Sequence, residues 1–173
     1  MRGGDRVTGF EEIYREYFSD VYRYLLRLSG NPDVAEEITS ETFFRALSSI
    51  DKFRGECEIR LWLCKIAKNC YYSYMKKQSR IADIGEESIR NIPDASVSPE
   101  EKIQDADDAM RIRRVLREIP EPYKEVFMWR VFGELGFREI GQICGKNENW
   151  ACVTYHRARK MIKERLEGGK NEK

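Results

Sequence analysis

A chain of 173 residues corresponds to one compact domain or two small ones, with no room for a large enzyme core. Charged residues make up 35% and apolar residues 41%, which is enough apolar surface to bury a core and argues against wholesale disorder. The 31 Lys and Arg nearly balance the 30 Asp and Glu, so the net charge of +1 indicates no partner by itself. A single His also argues against histidine-dependent catalysis.

Neither a membrane span nor a metal site is predicted. No apolar run approaches the roughly 18 residues that a span requires, and the first residues lack the apolar segment of a signal peptide, so we expect a cytoplasmic protein. The cysteines are odd in number and include no C-x-x-C pair, which favours reduced thiols over disulfides or a zinc site with His156. They are Cys57, Cys64, Cys70, Cys144 and Cys152.

Charge alternates in blocks along the chain. Residues 1–51 carry a net charge of −4, 52–80 carry +6 and 81–109 carry −7. The last two segments, 110–144 and 145–173, carry +2 and +4. Two basic blocks around an acidic stretch indicate two surfaces that face a polyanion, although solvated helix faces are the alternative. Attraction between the acidic stretch and the two basic blocks predicts that the free protein binds DNA poorly.

Three helices are predicted in the N-terminal half from the spacing of apolar residues. The first helix begins at a capping box that starts with Thr8, and this helix ends at Gly30. Asp33 is the predicted cap of the second helix, and the third runs from Ile59 to about Lys77. These helices form a predicted N-terminal domain over residues 8–78.

A flexible acidic linker is predicted over residues 79–98, which contain Gly, Pro and Ser without a sustained period. A second helical domain follows over 99–168. It ends with a helix from about Phe137 to Cys144, a Gly-containing turn, and a helix from about residue 148 to 166. That order is typical of a helix-turn-helix. The fold prediction is therefore all-α, with two small domains.

One face of the final helix is suited to reading a DNA groove. Asn can pair with adenine, Val can touch a thymine methyl group, and His, Arg and Lys can donate to base acceptors or phosphates. A solvated face is the alternative, and Trp150 is equally consistent with a buttress or a backbone contact. The face carries Asn149, Val153, His156 and Lys160, with Cys152 and Arg157 on its flanks.

Basic and aromatic residues interleave on the third helix, opposite its apolar stripe. Cations that follow phosphates and rings that stack on bases suit single-stranded nucleic acid. Packing against a partner helix, with the lysines extending to solvent, is the alternative. The residues are Leu61, Lys65, Lys68, Tyr72, Met75 and Lys76.

These segments carry a family resemblance. The runs that begin at Phe53 (F-R-G-E), Leu61 (L-W-L) and Ile66 (I-A-K-N) resemble the signature of extracytoplasmic-function, group IV sigma-70 factors. The run from Asp33 to Phe43 is similar to that family's polymerase-binding helix. Further similarity lies at Ile119-Pro120, Glu139-Ile140, Gly145 and His156-Arg157-Ala158-Arg159. The usual pattern of the family is not followed at Gly136, at Gly141 and over the stretch 149–154. The resemblance therefore does not imply a particular DNA sequence preference.

The resemblance implies a non-catalytic sigma factor that binds core RNA polymerase, directs it to promoters and promotes strand opening. An anti-sigma factor, which could hold the protein at the membrane, is a further implied partner; no small-molecule substrate or cofactor is implied. The residues implied to bind the core are Asp33, Glu36, Glu37, Glu41 and Phe43. Those implied at the −10 element are Arg54, Gly55, Lys65, Lys68, Asn69, Tyr72 and Lys76. Those implied at the duplex −35 element are Asn149, Trp150, Val153, His156, Arg157 and Lys160.

Two other functions remain consistent with the residues alone. One is a two-domain helix-turn-helix repressor or activator that never contacts the polymerase core, and the other is an all-α adaptor that binds only protein. No phosphate-binding Gly loop, nucleophile motif or ligand cluster supports an enzyme. Core-dependent transcription would distinguish the sigma factor from both alternatives.

Overall fold

Seven α-helices account for the fold in the computed structural model, which describes residues 3–55, 57–84 and 102–168. The prediction of an all-α protein is confirmed, since no strand occurs in those ranges. Within them, none of the helices is both long and apolar enough to cross a bilayer. The N-terminal domain contains α1 (Gly3–Ser29), α2 (Pro32–Ser49), a 3-10 turn (Ile50–Lys52) and α3 (Ile59–Ile84). The C-terminal domain contains α4 (Lys102–Glu118), α5 (Tyr123–Val131), α6 (Phe137–Cys144) and α7 (Glu148–Gly168).

A tight connection joins α1 to α2. Gly30 has a φ of +69°, and this left-handed conformation ends α1 at little cost because glycine lacks a Cβ. Asn31 is the cap of α2, since its side chain accepts hydrogen bonds from the backbone N–H groups of Asp33 and Val34. The prediction of Asp33 as the cap was wrong. Pro32 occupies the first turn, where its missing N–H costs nothing, so the true cap lies one residue before it.

The core of the N-terminal domain lies between α1, α2 and α3. Leu25, Ile38, Leu63 and Ala67 are buried there. Thr39 is also buried, and its hydroxyl donates to a backbone carbonyl of its own helix. Burying side chains of this size contributes about 1.5–3 kcal/mol each, so packing of the amphipathic faces holds the three helices together.

Helix α3 is longer than its apolar stripe predicts. It continues to Ile84 instead of ending near Lys77, because no Gly or Pro occurs before Gly85. It therefore includes the first six residues of the predicted linker, 79–98, and the rest of that linker lies outside the described residues.

The predicted helix-turn-helix is present as α6, a turn and α7. Gly145 ends α6 with a φ of +65°, and the N–H of Lys146 donates to the carbonyl of Gly141 at 2.8 Å. A Cβ on Gly141 would lie 2.8 Å from the carbonyl oxygen of Lys146, which explains why the turn has glycine there. The buried Ala151 and Ala158 place α7 against its own domain and leave its other face to solvent.

Candidate nucleic-acid and protein interfaces

The outer surface of α2 is acidic, and we call it the α2 surface. Its four predicted carboxylates are all exposed. Glu41 is paired with Arg45 of the next turn, Nε to Oε1 at 2.5 Å, an exposed pair that contributes little to stability. Anionic side chains on one helix face would repel DNA and suit a basic protein partner. The four residues are Asp33, Glu36, Glu37 and Glu41.

Phe43 does not belong to this surface, contrary to the prediction. Its ring is 3% exposed and packs edge-on against Tyr14, with the centroids 4.9 Å apart. The exposed aromatic ring is that of Phe44, which is 68% exposed, and Leu47 on the same helix is 42% exposed. An exposed ring near carboxylates is typical of a protein interface. Helical periodicity alone did not show which of the neighbouring residues, Phe43 or Phe44, is the exposed one.

A second surface follows α3 and the loop before it, and we call it the α3 surface. Five of its predicted residues are exposed, and Gly55 adopts a φ of +72° in the turn that precedes the helix. Leu61 is fully buried, so it belongs to the core and not to this surface. The exposed residues are Arg54, Gly55, Lys65, Asn69 and Lys76.

Two members of the α3 surface are covered by α5 of the C-terminal domain. Lys68 Nζ lies 2.5 Å from Glu125 Oε1, and the two side chains are only 14% and 23% exposed. The hydroxyl of Tyr72 lies 3.3 Å from Glu121 Oε1 and 3.3 Å from the sulfur of Met128. Burial raises the pKa of Tyr72, so its hydroxyl stays protonated and donates. These contacts could not be predicted from helix periodicity, because the partners lie about fifty residues away in sequence.

Three arginines extend the contact between the domains. Arg113 of α4 donates from Nη2 to the carbonyl oxygen of Arg27 at 3.0 Å, and desolvation lowers the pKa of Arg113. Arg27 itself pairs with Glu134 at 3.0 Å. Arg60 of α3 donates to the carbonyl oxygen of Gly133 at 3.3 Å. Together with the contacts on α5, these interactions form what we call the interdomain interface.

The outward face of α7, which we call the α7 surface, is open. Five of the six residues predicted at the −35 element are exposed, and Val153 is 40% exposed despite its apolar side chain. Trp150 is half-buried and packs against the core, which places it at the edge of this surface. The backbone N–H of Trp150 donates to Asn147, so Asn147 fixes the start of the helix. The exposed residues are Asn149, Val153, His156, Arg157 and Lys160.

Among the described cysteines, all five are free thiols. Burial raises the pKa of Cys64 to about 12 and that of Cys144 to about 11, which leaves both thiols protonated and unreactive at neutral pH. No group of three or more His, Cys, Asp or Glu side chains that could hold a metal ion occurs within the described ranges.

Comparisons with known proteins show which family the chain resembles. The family model of Sigma-70 region 2 matches residues 13–81, and that of Sigma-70, region 4 matches residues 109–162. The ECF RNA polymerase sigma factor SigM of Bacillus subtilis (strain 168) is 29% identical over 168 residues, which cover 94% of this chain and 98% of SigM. The RNA polymerase sigma factor YlaC of the same strain is 25% identical over 163 residues, 94% of each chain.

Solved structures share the fold. The sigma factor RpoE of Bartonella quintana, crystallised with the anti-sigma factor NepR, superposes with a TM-score of 0.60 at 20% identity, over 92% of this chain and 97% of RpoE. CnrH, in complex with the cytosolic domain of CnrY, gives a TM-score of 0.59 at 14% identity, over 92% and 88% of the two chains. From the two family models in this order and relatives that span the chain, we conclude that it belongs to the extracytoplasmic-function group of sigma-70 factors.

Proposed function

We propose that each of the three surfaces of this sigma factor binds a different partner. As a member of its family it binds core RNA polymerase and directs promoter-specific initiation, and the polymerase performs the chemistry. The α2 surface would bind the core, the α3 surface would hold the unpaired strand of the −10 element, and the α7 surface would read the duplex −35 element. The separation of one acidic surface from two basic ones carries this assignment.

The acidic charge of the α2 surface supports a role in binding protein. Its carboxylates would repel a nucleic acid, whereas the exposed ring of Phe44, one turn beyond Glu41 on the same helix, gives an apolar contact for a partner. By family resemblance the partner segment would be the clamp helices of the large β′ subunit. We add Phe44 and Leu47 to the proposed contact and remove Phe43, because Phe43 is buried.

The composition of the α3 surface supports binding of an unpaired strand. Lys65 and Lys76 are exposed cations that could follow phosphates, and Tyr72 could stack on a base once it is uncovered. Strand opening without ATP requires such contacts, since a flipped base loses a few kcal/mol of stacking and pairing.

We also propose the functional boundaries and the remaining partner. Residues 8–78 would act as the polymerase and −10 domain and 99–168 as the −35 domain, joined by the acidic segment 79–98, whose first six residues extend α3. The protein would work in the cytoplasm, where an anti-sigma factor, membrane-bound or not, would hold it inactive. The likeness to folds crystallised with NepR and CnrY supports the choice of this partner.

Run-off transcription tests the proposal. Purified core polymerase, fragmented DNA of the source genome and this protein should give start sites that are absent when the protein is left out. The double variant Glu37→Lys/Glu41→Lys should lower co-purification with the core by about tenfold or more, because it reverses two interface charges. Circular dichroism should show unchanged helix content.

A matched control reverses the same number of charges elsewhere. Glu12→Lys/Glu16→Lys changes two exposed carboxylates on α1, on the side away from Tyr14. This variant should retain core binding and all start sites. Specific binding of free duplex DNA without core-dependent initiation would instead support the helix-turn-helix repressor or activator, and binding to neither would support the adaptor.

A further inference from the structure

The interdomain interface covers the α3 surface selectively. Lys68 and Tyr72, the residues best suited to a phosphate and a base, are the two that α5 occupies. Lys65, one turn before Lys68 on the same helix, and Asn69, directly after it, remain exposed. The contact therefore removes the strongest binding groups while it leaves part of the basic surface in solvent.

The α7 surface is not covered in the same arrangement. Asn149, Val153 and His156 are exposed, and the faces of the C-terminal domain that touch α1 and α3 are supplied by other elements. Packing between the domains thus affects the two proposed DNA surfaces unequally. General attraction between acidic and basic segments, as the charge blocks predict, would not produce this difference.

The groups that α5 and the turn before it place on the α3 surface have the chemistry of a DNA strand. The Glu125 carboxylate gives Lys68 the anionic oxygen that a phosphate would give. The Glu121 carboxylate accepts from Tyr72, and Met128 fills the space beside that hydroxyl. Lys124 lies over the ring of Tyr72, with Nζ 5.2 Å from the centroid, so the face on which a base would stack is occupied.

We propose that α5 is an internal competitor for the unpaired −10 strand. In the closed form seen here, the protein is able to dock on a −35 duplex but is unable to hold a single strand until α5 leaves α3. This inference rests on the proposed roles of the α3 and α7 surfaces. It adds an order of events, in which duplex recognition is available first and strand capture requires the domains to separate.

Removing two carboxylates, Glu125 of α5 and Glu121 in the turn before it, tests the competition. Glu121→Gln/Glu125→Gln keeps side-chain size but removes the anionic groups that face Tyr72 and Lys68. The probes are a fluorescein-labelled 20-nucleotide DNA strand of random sequence and its 20-base-pair duplex counterpart, without polymerase. The variant should bind the single strand roughly three- to tenfold more tightly, the effect of a partly buried ion pair, and the duplex with unchanged affinity.

Hydrogen exchange gives a readout of opening that does not depend on DNA. Peptides from residues 60–75 and 121–132 should exchange faster in the variant, because the contact between α3 and α5 is weakened. Glu12→Gln/Glu16→Gln is the control for net charge and should change neither exchange in these peptides nor single-strand affinity.

Three results would overturn the inference. Unchanged exchange would show that the carboxylates do not hold α5 in place, and faster exchange with unchanged single-strand affinity would show that α5 does not compete. An equal gain for duplex and single strand would also overturn it, since that is a general effect of charge. The proposed function is tested separately by core-dependent transcription, so any of these results could occur while the proposed function still holds.

Discussion

Tyr24 of α1 and Trp129 of α5 lie stacked across the interdomain interface, with ring centroids 5.5 Å apart and planes inclined by 19°. Both side chains are almost fully buried. Within the described residues, neither the Tyr24 hydroxyl nor the Trp129 indole N–H has a hydrogen-bond partner. Two buried polar groups without partners are a cost that the stacking and the surrounding apolar contacts offset.

Tyr24→Phe should therefore stabilise the protein, by up to about 1 kcal/mol, since it removes an unpaired buried hydroxyl and keeps the ring. Tyr72→Phe is the matched comparison, because the Tyr72 hydroxyl does have partners across the same interface, and it should destabilise by about 0.5–1.5 kcal/mol. Urea unfolding followed by circular dichroism measures both. A loss of stability in Tyr24→Phe similar to that in Tyr72→Phe would contradict this account.

Gly30→Ala should be coupled to Arg113. A Cβ at position 30 would lie 2.5 Å from the guanidinium carbon of Arg113, and the residue would also be held at a φ of +69°. We expect a loss of about 2–3 kcal/mol, from the left-handed backbone and the displaced hydrogen bonds of Arg113. In an Arg113→Ala background the loss should fall to about 1–2 kcal/mol, the backbone part alone. Additive losses in this double-mutant cycle would exclude the coupling.

Stability should fall at alkaline pH through Cys64. Burial raises the pKa of its thiol from 9.0 to about 12. Below pH 9 the thiol is neutral in both states, whereas between pH 9 and 12 the unfolded state loses the proton that the folded state keeps. The free energy of unfolding should therefore decrease by up to about 1.4 kcal/mol per pH unit in that window. Cys64→Ala should flatten this slope in urea titrations at pH 8 to 11, and an unchanged slope in that variant would contradict the assignment to Cys64.

Substitutions on the α7 surface should weaken DNA binding in two different ways. Asn149 lies near the start of the helix, where base edges are reached first, and Lys160 lies three turns later, where a phosphate backbone would pass. Asn149→Ala should cost about 1–3 kcal/mol on the cognate −35 site only and relax preference at one or two base pairs. Lys160→Ala should weaken binding to all sequences and lower the salt slope by about 1. A randomised −35 library, assayed over several salt concentrations, distinguishes these outcomes from one uniform loss.

Local signals in the sequence were sufficient to predict most of the fold. The apolar period located the three helices of the N-terminal domain, and the turn at Gly145 placed α6 and α7 within a few residues of their observed bounds. The errors occurred at helix ends. The first helix begins at Gly3 and not at Thr8, Asn31 and not Asp33 is the cap of α2, and α3 continues to Ile84. Such ends depend on single hydrogen bonds and on the absence of a breaking residue, which a period of 3.6 does not resolve.

The candidate surfaces were predictable to a lesser degree. Exposure of the α7 surface follows from one helix packing on its own domain, so the projection of that helix placed Asn149 and Val153 correctly on the outward face. Phe43 and Phe44 are neighbours, and the sequence pattern did not show which of the two faces the core. The covering of Lys68 depends on Glu125, 57 residues away, and contacts of that range are set by tertiary packing alone.

The position of Arg113 has a consequence for how the protein melts. Its guanidinium donates to a carbonyl in the last turn of α1, so a helix in one domain receives part of its C-terminal cap from the other. Losing the C-terminal domain would remove the arginine donor from that carbonyl and expose the Tyr24 ring. Heat should therefore unfold the closed protein in a single cooperative transition, with one calorimetric peak, even though each domain has its own core. Separation of the domains on the polymerase would divide this one thermodynamic unit into two.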